Sequence, residues 1–586
     1  MNWNFELIFK SEEEFNENLN KVLPLANEIK ALEGTLNTFD GFKKYFLLND
    51  EFNLLLSKCF VYAHMHNDQN KKDVKYEQMF QTVYGIYANC INILSFAMPE
   101  LLEVGLDKCL EFINSDNTLE CYRFSIVSLF NEQKHVLDKK SENLISSFNN
   151  ALDVYNNLYD KLAVGDNSST MVELLDGTEL EINESNFRLY LEKLENQEDR
   201  RRVFEAVFKF YDKHKNTFAG IYEGIMKSEA AISKIRGYKS ILNSHLDGNN
   251  IPTEVYESLI KTTRTNTSGV KKYYNILKKH FNLDTIHTYD RFLSLAKDEN
   301  EYTYEYSKEL FFESTAKMGE YFSELSHKVL EDGRVDVSIK DGKRTGAYST
   351  GLYKEGPFIL LNHNGSLDSC FTLAHEAGHS MHTLLSNANQ SVATADYTIF
   401  VAEIASTFNE SLLLDHLMSK DLDKNTKIAL LQKNIDMILG TFYRQSLFAD
   451  FEYEAHKLVE NNEPITYDVL CSIMKSLYKD YYDIDLNNEP YKEMVWAYIP
   501  HFFHSPFYVY QYATSFAASM KFYQDVKNNI PHAFDNYLTL LKSGGSDYPV
   551  NLVKKAGVDL TKQETFDAVV KRLNELVDEL EGLLEE

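Results

Sequence analysis

Apolar residues recur at three- and four-residue steps through most of the chain, the spacing of amphipathic helices. FNENLNKVLPLANEIKALEGTLNTF (Phe15–Phe39) follows this rule, and YEQMFQTVYGIYANCINILSFAMPELL (Tyr76–Leu102) follows it with a more apolar composition that predicts a buried helix. The pattern breaks at VGDNSSTMVELLDGTELEIN (Val164–Asn183), where MVELL and TELEI flank Asp176-Gly177 as the arms of a hairpin. A boundary just after it divides the chain into a helical amino-terminal lobe, 1–185, and a larger domain, 186–586. Helical spacing resumes from Phe187 to about Leu330, with a break at Ile251-Pro252. In 334–362 the period changes to two. Val335, Val337 and Ile339 alternate, Asp341-Gly342 turns the chain, Ala347-Tyr348 resumes it, and a second turn near Gly356-Pro357 leads into FILL. This predicts two or three short strands forming a small sheet. The rest is helical as far as the acidic LVDELEGLLEE, the solvated face of a last helix.

Composition supports a mostly α fold: 24 Gly and 10 Pro in 586 residues leave few helix breakers. The net charge of −28 argues against nucleic acid and against anionic membrane surfaces, since both are met by clustered Lys and Arg. No apolar run is long enough to cross a bilayer, and MNWNFELIFKSEEEF lacks the basic and apolar regions of a secretory signal. Cys59, Cys90, Cys109, Cys121, Cys370 and Cys471 are scattered, with no CxxC, as in reduced intracellular proteins. The expected compartment is the cytoplasm.

Chemistry concentrates directly after the predicted strands, in LDSCFTLAHEAGHSMHTLL (Leu367–Leu385). His375-Glu376-Ala377-Gly378-His379 matches H-E-x-x-H. On a helix, positions i and i+4 lie about 40° apart, so two imidazoles can share one zinc ion. Glu376 lies beside them, placed to reach an activated water without being a ligand. Ser366 is the predicted N-cap. Leu367, Phe371, Ala374, Ala377, Met381, Leu384 and Leu385 make this segment too apolar for a surface helix, so its buried polar groups need partners. A catalytic zinc usually takes three protein ligands. His382 shares the face, but three ligands on one rigid helix would span about 10 Å of its axis, too far for bonds of about 2 Å. His382 is expected to pack or to support a ligand, and Cys370 to lie in the core. Downstream, ADYTIFVAEIASTFNESLL places Glu403 and Glu410 two turns apart on another amphipathic helix. Either can face the HExxH helix, and together they suggest one ligand plus one group that holds a ligating histidine.

HEAGHSMH, DYTIFVAEIASTFNE and HFFHSPFYVYQYATS, with SKIRGYKS and GAYSTG…PFILLN, resemble the oligoendopeptidase F group of the thimet oligopeptidase family of zinc peptidases. The resemblance runs in order over about Asn183–Leu560 and more loosely through the amino-terminal lobe. It implies a mostly helical, two-lobed oligopeptidase with a deep substrate channel and a small sheet beside the HExxH helix. It implies one Zn²⁺ per chain held by His375, His379 and Glu403, with Glu376 as general base and Glu410 supporting a ligand. It also implies a His and a Tyr near the carboxyl end of the catalytic lobe that stabilise the oxyanion. His501 and Tyr512 fit best, Tyr508 and Tyr510 are rivals, and His504 is a bystander. The strand edge at Gly346, Ala347 and Tyr348 would pair with an extended peptide, Gly346 allowing close backbone approach. Implied substrates are short unstructured peptides cut internally. The alternatives are a related dipeptidyl carboxypeptidase, which needs a cation to grip the substrate's terminal carboxylate, and a peptide-binding protein without catalysis.

Overall fold

A computed structural model describes residues 2–585, excepting the side chains of Lys139, Asn149 and Asn150. The chain is mostly helical, with five short strands among the described residues. It forms two compact units, each assembled from distant segments: 1–134, 300–420 and 522–557 in the first, and 135–299, 421–521 and 558–586 in the second. Position 185 lies inside the second unit. A composition break registers a local hairpin, whereas a compact unit depends on which distant segments bury each other's apolar faces.

That hairpin is present. β1 (Thr170–Glu173) pairs antiparallel with β2 (Glu179–Ile182) in the second unit, around Gly177 with φ +85°. The helix Val74–Leu94 differs from its expected burial. Only Val83 and Cys90 are fully buried, while Tyr84, Tyr87 and Ile91 are exposed. Its apolar content is distributed round the helix, and a single neighbouring face cannot cover it.

The second sheet, in the first unit, carries the site. It contains β3 (Val335–Ser338), β4 (Tyr348–Leu352) and β5 (Gly356–His363) in the order β3-β5-β4. β3 runs parallel to the central β5, with a shift in register between Asp336 and Ser338, and β4 pairs antiparallel to β5 as an outer strand. β5 reads GPFILLNH, and its continuous Phe358–Leu361 run is buried, as a central strand covered on both faces requires. Leu352, Phe358 and Leu360 join the core of the amino-terminal helices, and Trp3 Nε1 donates to the Ile359 carbonyl at 2.8 Å.

One charged side chain ties this sheet together. The Lys343 ammonium donates to Asp336 Oδ1 and to the Leu361 carbonyl, each at 2.6 Å, and to the Ser338 carbonyl at 2.8 Å. Both side chains of the Lys343–Asp336 pair are 0% exposed. The ammonium therefore bridges β3 and β5 where their register shifts. Removing one partner strands a buried charge, at a cost of about 3–5 kcal/mol. Lys343→Met is expected to lower the melting temperature sharply, and Lys343→Met with Asp336→Leu to recover part of the loss. Equal melting temperatures for wild type and Lys343→Met would show that the tie carries no stability.

Candidate metal centre

Directly after β5 the chain enters α1 (Leu367–Asn389). Ser366 caps it, its hydroxyl accepting from the Ser369 amide, and Ser369 Oγ donates to Asn364 Oδ1 at 2.7 Å. α2 (Ile399–Met418) packs across it. The packing is backbone to backbone. A Cβ on Gly378 would come within 2.7 Å of the Ala405 carbonyl oxygen and 2.8 Å of Ser406 Cα. Gly378 is one of the two free positions of the H-E-x-x-H pattern, so the pattern alone gives no hint that its side chain must be absent.

This approach delivers Glu403 to the two histidines. His375 Nε2 and His379 Nε2 are 3.2 Å apart, and Glu403 Oε2 lies 3.4 Å from the first and 3.6 Å from the second. Tetrahedral bonds of about 2.0–2.1 Å set donor atoms about 3.3 Å apart. The three donors thus stand near the corners of one tetrahedral face, and among the described residues they are the grouping able to hold a metal ion.

Each donor is fixed from behind. His375 Nδ1 meets Glu410 Oε1 at 2.5 Å, which turns Nε2 toward the other donors. The Ala402 backbone hydrogen-bonds to His379. Ser406 Oγ donates to Glu403 Oε2 at 2.8 Å. Charge follows from the same contacts. Burial pulls the His375 pKa down, but the Glu410 bond and the carboxylates of Glu376 and Glu403 lift it to about 9. Burial and the charge of His375 hold His379 down at about 4. This pocket, with its three carboxylates, favours positive charge between the imidazoles.

Glu376 is 7% exposed. Burial raises its pKa to about 7, and the nearby carboxylates add to the rise, while His375 and the Ser349 amide oppose it. Ser349 belongs to β4, and its hydroxyl also meets Ser380 Oγ of α1 at 2.8 Å. A Cβ on Gly351 would fall 2.5 Å from Thr383 Cγ2, so β4 lies tightly on the helix.

His382 is buried away from the donors. It stacks on Tyr397 at 3.6 Å between ring centroids, and burial pushes its pKa down to about 3. Cys370 is in the core. Gly346 is exposed. Nothing lies within 4 Å of where its Cβ would be; what it supplies is φ +81° at the entry to β4, with its carbonyl accepting from Asn362 Nδ2 at 2.8 Å. Ala347 is half-buried beside it. The Tyr348 ring packs near Trp3 and His64, with the Arg344 guanidinium 5.4 Å over it. Ser349, Thr350, Gly351 and Leu352 line a cavity of about 1010 Å³ with Thr383 and Tyr397. Sequence reading stopped at Tyr348 because period-two alternation does not show which edge of a strand stays open.

In the second unit, His501, Tyr508 and Tyr512 form one aromatic group. Tyr508 stacks on His501 at 6.1 Å, Tyr512 meets His501 edge-on at 6.2 Å, and the two tyrosines are 5.6 Å apart. Tyr510 is a core residue, 2% exposed and packed on Tyr256. His504 turns to Asp160, at 2.9 Å. Phe507, between His504 and Tyr508, has φ +55°, a strained value for a bulky residue. Its amide donates to the fully buried Glu452 at 2.8 Å. That anchor turns the chain from His501 to Tyr508, and no local sequence signal marks it.

These features define an H-E-x-x-H metallopeptidase. Comparison with known proteins agrees. The family model for peptidase family M3 matches residues 190–571, and that for oligopeptidase F matches 100–167. Oligopeptidase PepF of Bacillus subtilis is 33% identical over 584 residues, covering 99% of this chain and 87% of that protein. A solved structure from Chlamydophila abortus superposes with TM-score 0.91 at 30% identity, covering 99% of this chain and 98% of the other. The crystal structure of oligoendopeptidase-F from Enterococcus faecium gives TM-score 0.73 at 26% identity, covering 98% and 99%. The chain belongs to peptidase family M3, within its oligoendopeptidase F group, and is a metalloendopeptidase.

Two outcomes follow from the geometry. Glu410→Gln and Gly378→Ala are each expected to weaken metal binding, the first about 10–100-fold, read by metal content after dialysis against graded chelator. Unchanged retention in both would remove Glu410 and the helix contact from the account. The second concerns pH. With metal stripped, a carboxyl whose folded-state pKa is raised stabilises the fold only while it holds its proton. Wild type should therefore lose stability relative to Glu376→Gln as pH rises from about 4.5 to about 7, by on the order of 2–3 kcal/mol. Parallel melting curves for the two proteins across that range would contradict the assigned burial of Glu376.

Proposed function

We propose that this chain is a zinc-dependent endopeptidase that hydrolyses internal bonds of short, unstructured peptides. The observation that carries the reading is the convergence of His375, His379 and Glu403 at tetrahedral spacing, with Glu376 beside them. A His₂Glu donor set suits zinc. Zinc would supply Lewis acidity toward the scissile carbonyl and the attacking water.

The protein groups do the rest. Glu376 takes the proton of the attacking water and later gives it to the leaving amine. Burial makes this carboxylate a stronger base than an exposed glutamate, which suits proton transfer near neutral pH. Glu410 keeps His375 in the tautomer that presents Nε2. On the family resemblance, His501 and Tyr512 donate hydrogen bonds to the oxyanion of the tetrahedral intermediate, with Tyr508, beside both, as the rival donor. The outer edge of β4 receives the substrate as an added strand, and the cavity beside Ser349–Leu352 takes its side chains. Gly346 sets the entry angle of that edge. Six free cysteines fit a reducing cytoplasm.

The test uses an internally quenched peptide blocked at both ends. Cleavage is expected, and a chelator is expected to abolish it until zinc is restored. Glu376→Gln should keep its metal and lose turnover by about three orders of magnitude or more. His501→Ala and Tyr512→Phe should each lower kcat about 10²–10³-fold. Chelator-resistant cleavage would sink the zinc assignment, and activity confined to peptides with a free carboxyl end would favour the dipeptidyl carboxypeptidase.

A further inference from the structure

Four cations of the second unit line one small cavity: Arg188, Arg291, Arg444 and Lys492. None of the four forms an ion pair with a carboxylate among the described residues. Arg188, the exposed member, donates to the Tyr498 hydroxyl at 3.1 Å. The Lys492 ammonium lies over aromatic faces instead, 5.1 Å from the Phe208 ring centre and 5.5 Å from that of Phe204. In a chain of net charge −28, such a concentration of unmatched positive charge is unexpected.

The acids nearby are already engaged. The Glu489 carboxylate accepts from the Thr288 amide at 3.0 Å and hydroxyl at 2.7 Å, and meets His287 Nδ1 at 3.2 Å. Asp436 accepts from the Tyr273 hydroxyl at 2.9 Å, and burial lifts its pKa to about 7, so it is only partly charged at neutral pH. The cations therefore oppose one another. Burial, then the charges of Arg291 and Arg444, push the Lys492 ammonium well below its ordinary value, and burial and Arg291 bring Arg444 down to about 10. Positive charge crowded in this way, which the Glu489 carboxylate offsets only in part at Lys492, is costly unless a counter-charge accompanies it.

We propose that this cavity binds a single inorganic anion of halide size, chloride in the first instance. Size supports the choice. The cavity measures about 20 Å³, room for little more than one water-sized body, which excludes a peptide carboxylate or a phosphate. The walls support it too. Beside the cations they are aromatic and aliphatic, through Phe204, Phe208 and Val495, and none of the lining residues is a carboxylate. A monovalent ion costs less to desolvate than a multiply charged phosphate, and the four cations supply its counter-charge. The anion would join Thr288–Phe292, the helix Arg444–Glu460 and the turn at Lys492 around one centre. It stands apart from the peptidase reading.

The test measures the whole protein without substrate. Melting temperature is followed in sodium chloride against sodium gluconate at equal ionic strength, and crystals are soaked in bromide for anomalous diffraction. A saturable rise with chloride or bromide, on the order of 1–2 °C per hundredfold above the dissociation constant, is expected, with acetate and sulfate inactive. An anomalous peak is expected among Arg291, Arg444 and Lys492. Lys492→Met should flatten the response. Arg188→Gln, the milder change, should shift its midpoint to higher chloride if Lys492→Met fails to fold. Identical melting in the two salts, a water in place of the anomalous peak, or an equal response to acetate would each overturn the proposal.

Discussion

The metal centre depends on how closely two helix backbones approach. Gly378 lets the HExxH helix lie against the Ala405–Ser406 backbone, and this contact decides where Glu403 and Glu410 arrive. Two carboxylates two turns apart then serve two ends of the same problem. Glu403 reaches the Nε2 atoms of both histidines, while Glu410 reaches the far side of one ring. A side chain of even one carbon at Gly378 would push the helices apart by a distance comparable with the tolerance of a metal–ligand bond.

The site is held from a second direction by the sheet. β5 leads straight into the Ser366 cap, so the sheet fixes where the helix begins. Lys343 secures the sheet by satisfying carbonyls on two strands with one ammonium. Donor geometry at the histidines is therefore supported by elements that do not touch the metal. A compact constellation needs this kind of backing, because shifts of a few tenths of an ångström matter at such distances.

Much of this was legible in the sequence, and the limits have physical causes. Local spacing carried the helices, the β1–β2 hairpin, the three site strands, the Ser366 cap and the pairing of His375 with His379. The partners that lie far away in sequence came from a different signal. Residue spacing left Glu403 and Glu410 interchangeable, and only family resemblance separated them; the structure sets one on both histidines and the other behind His375. Features that exist only after tertiary packing were not legible. Gly378 is an unspecified position in its motif, Lys343 reads as an ordinary charged turn residue, and Phe507 gives no sign of a positive φ. The helix Val74–Leu94 erred in the opposite sense, since apolar composition reports what a segment could bury and not how much cover its neighbours supply.

The bond from the Ser349 amide to Glu376 has a bearing on how the enzyme can be dissected. It joins β4 to the Glu376 carboxylate through a main-chain proton. No replacement of the Ser349 side chain deletes that proton, proline excepted, and proline would also distort the strand. A conventional alanine survey would therefore report on the Ser349–Ser380 hydroxyl bond and leave the amide contact unread. The contact is open only to backbone chemistry, such as exchange of the amide for an ester, or to spectroscopy that watches that one proton.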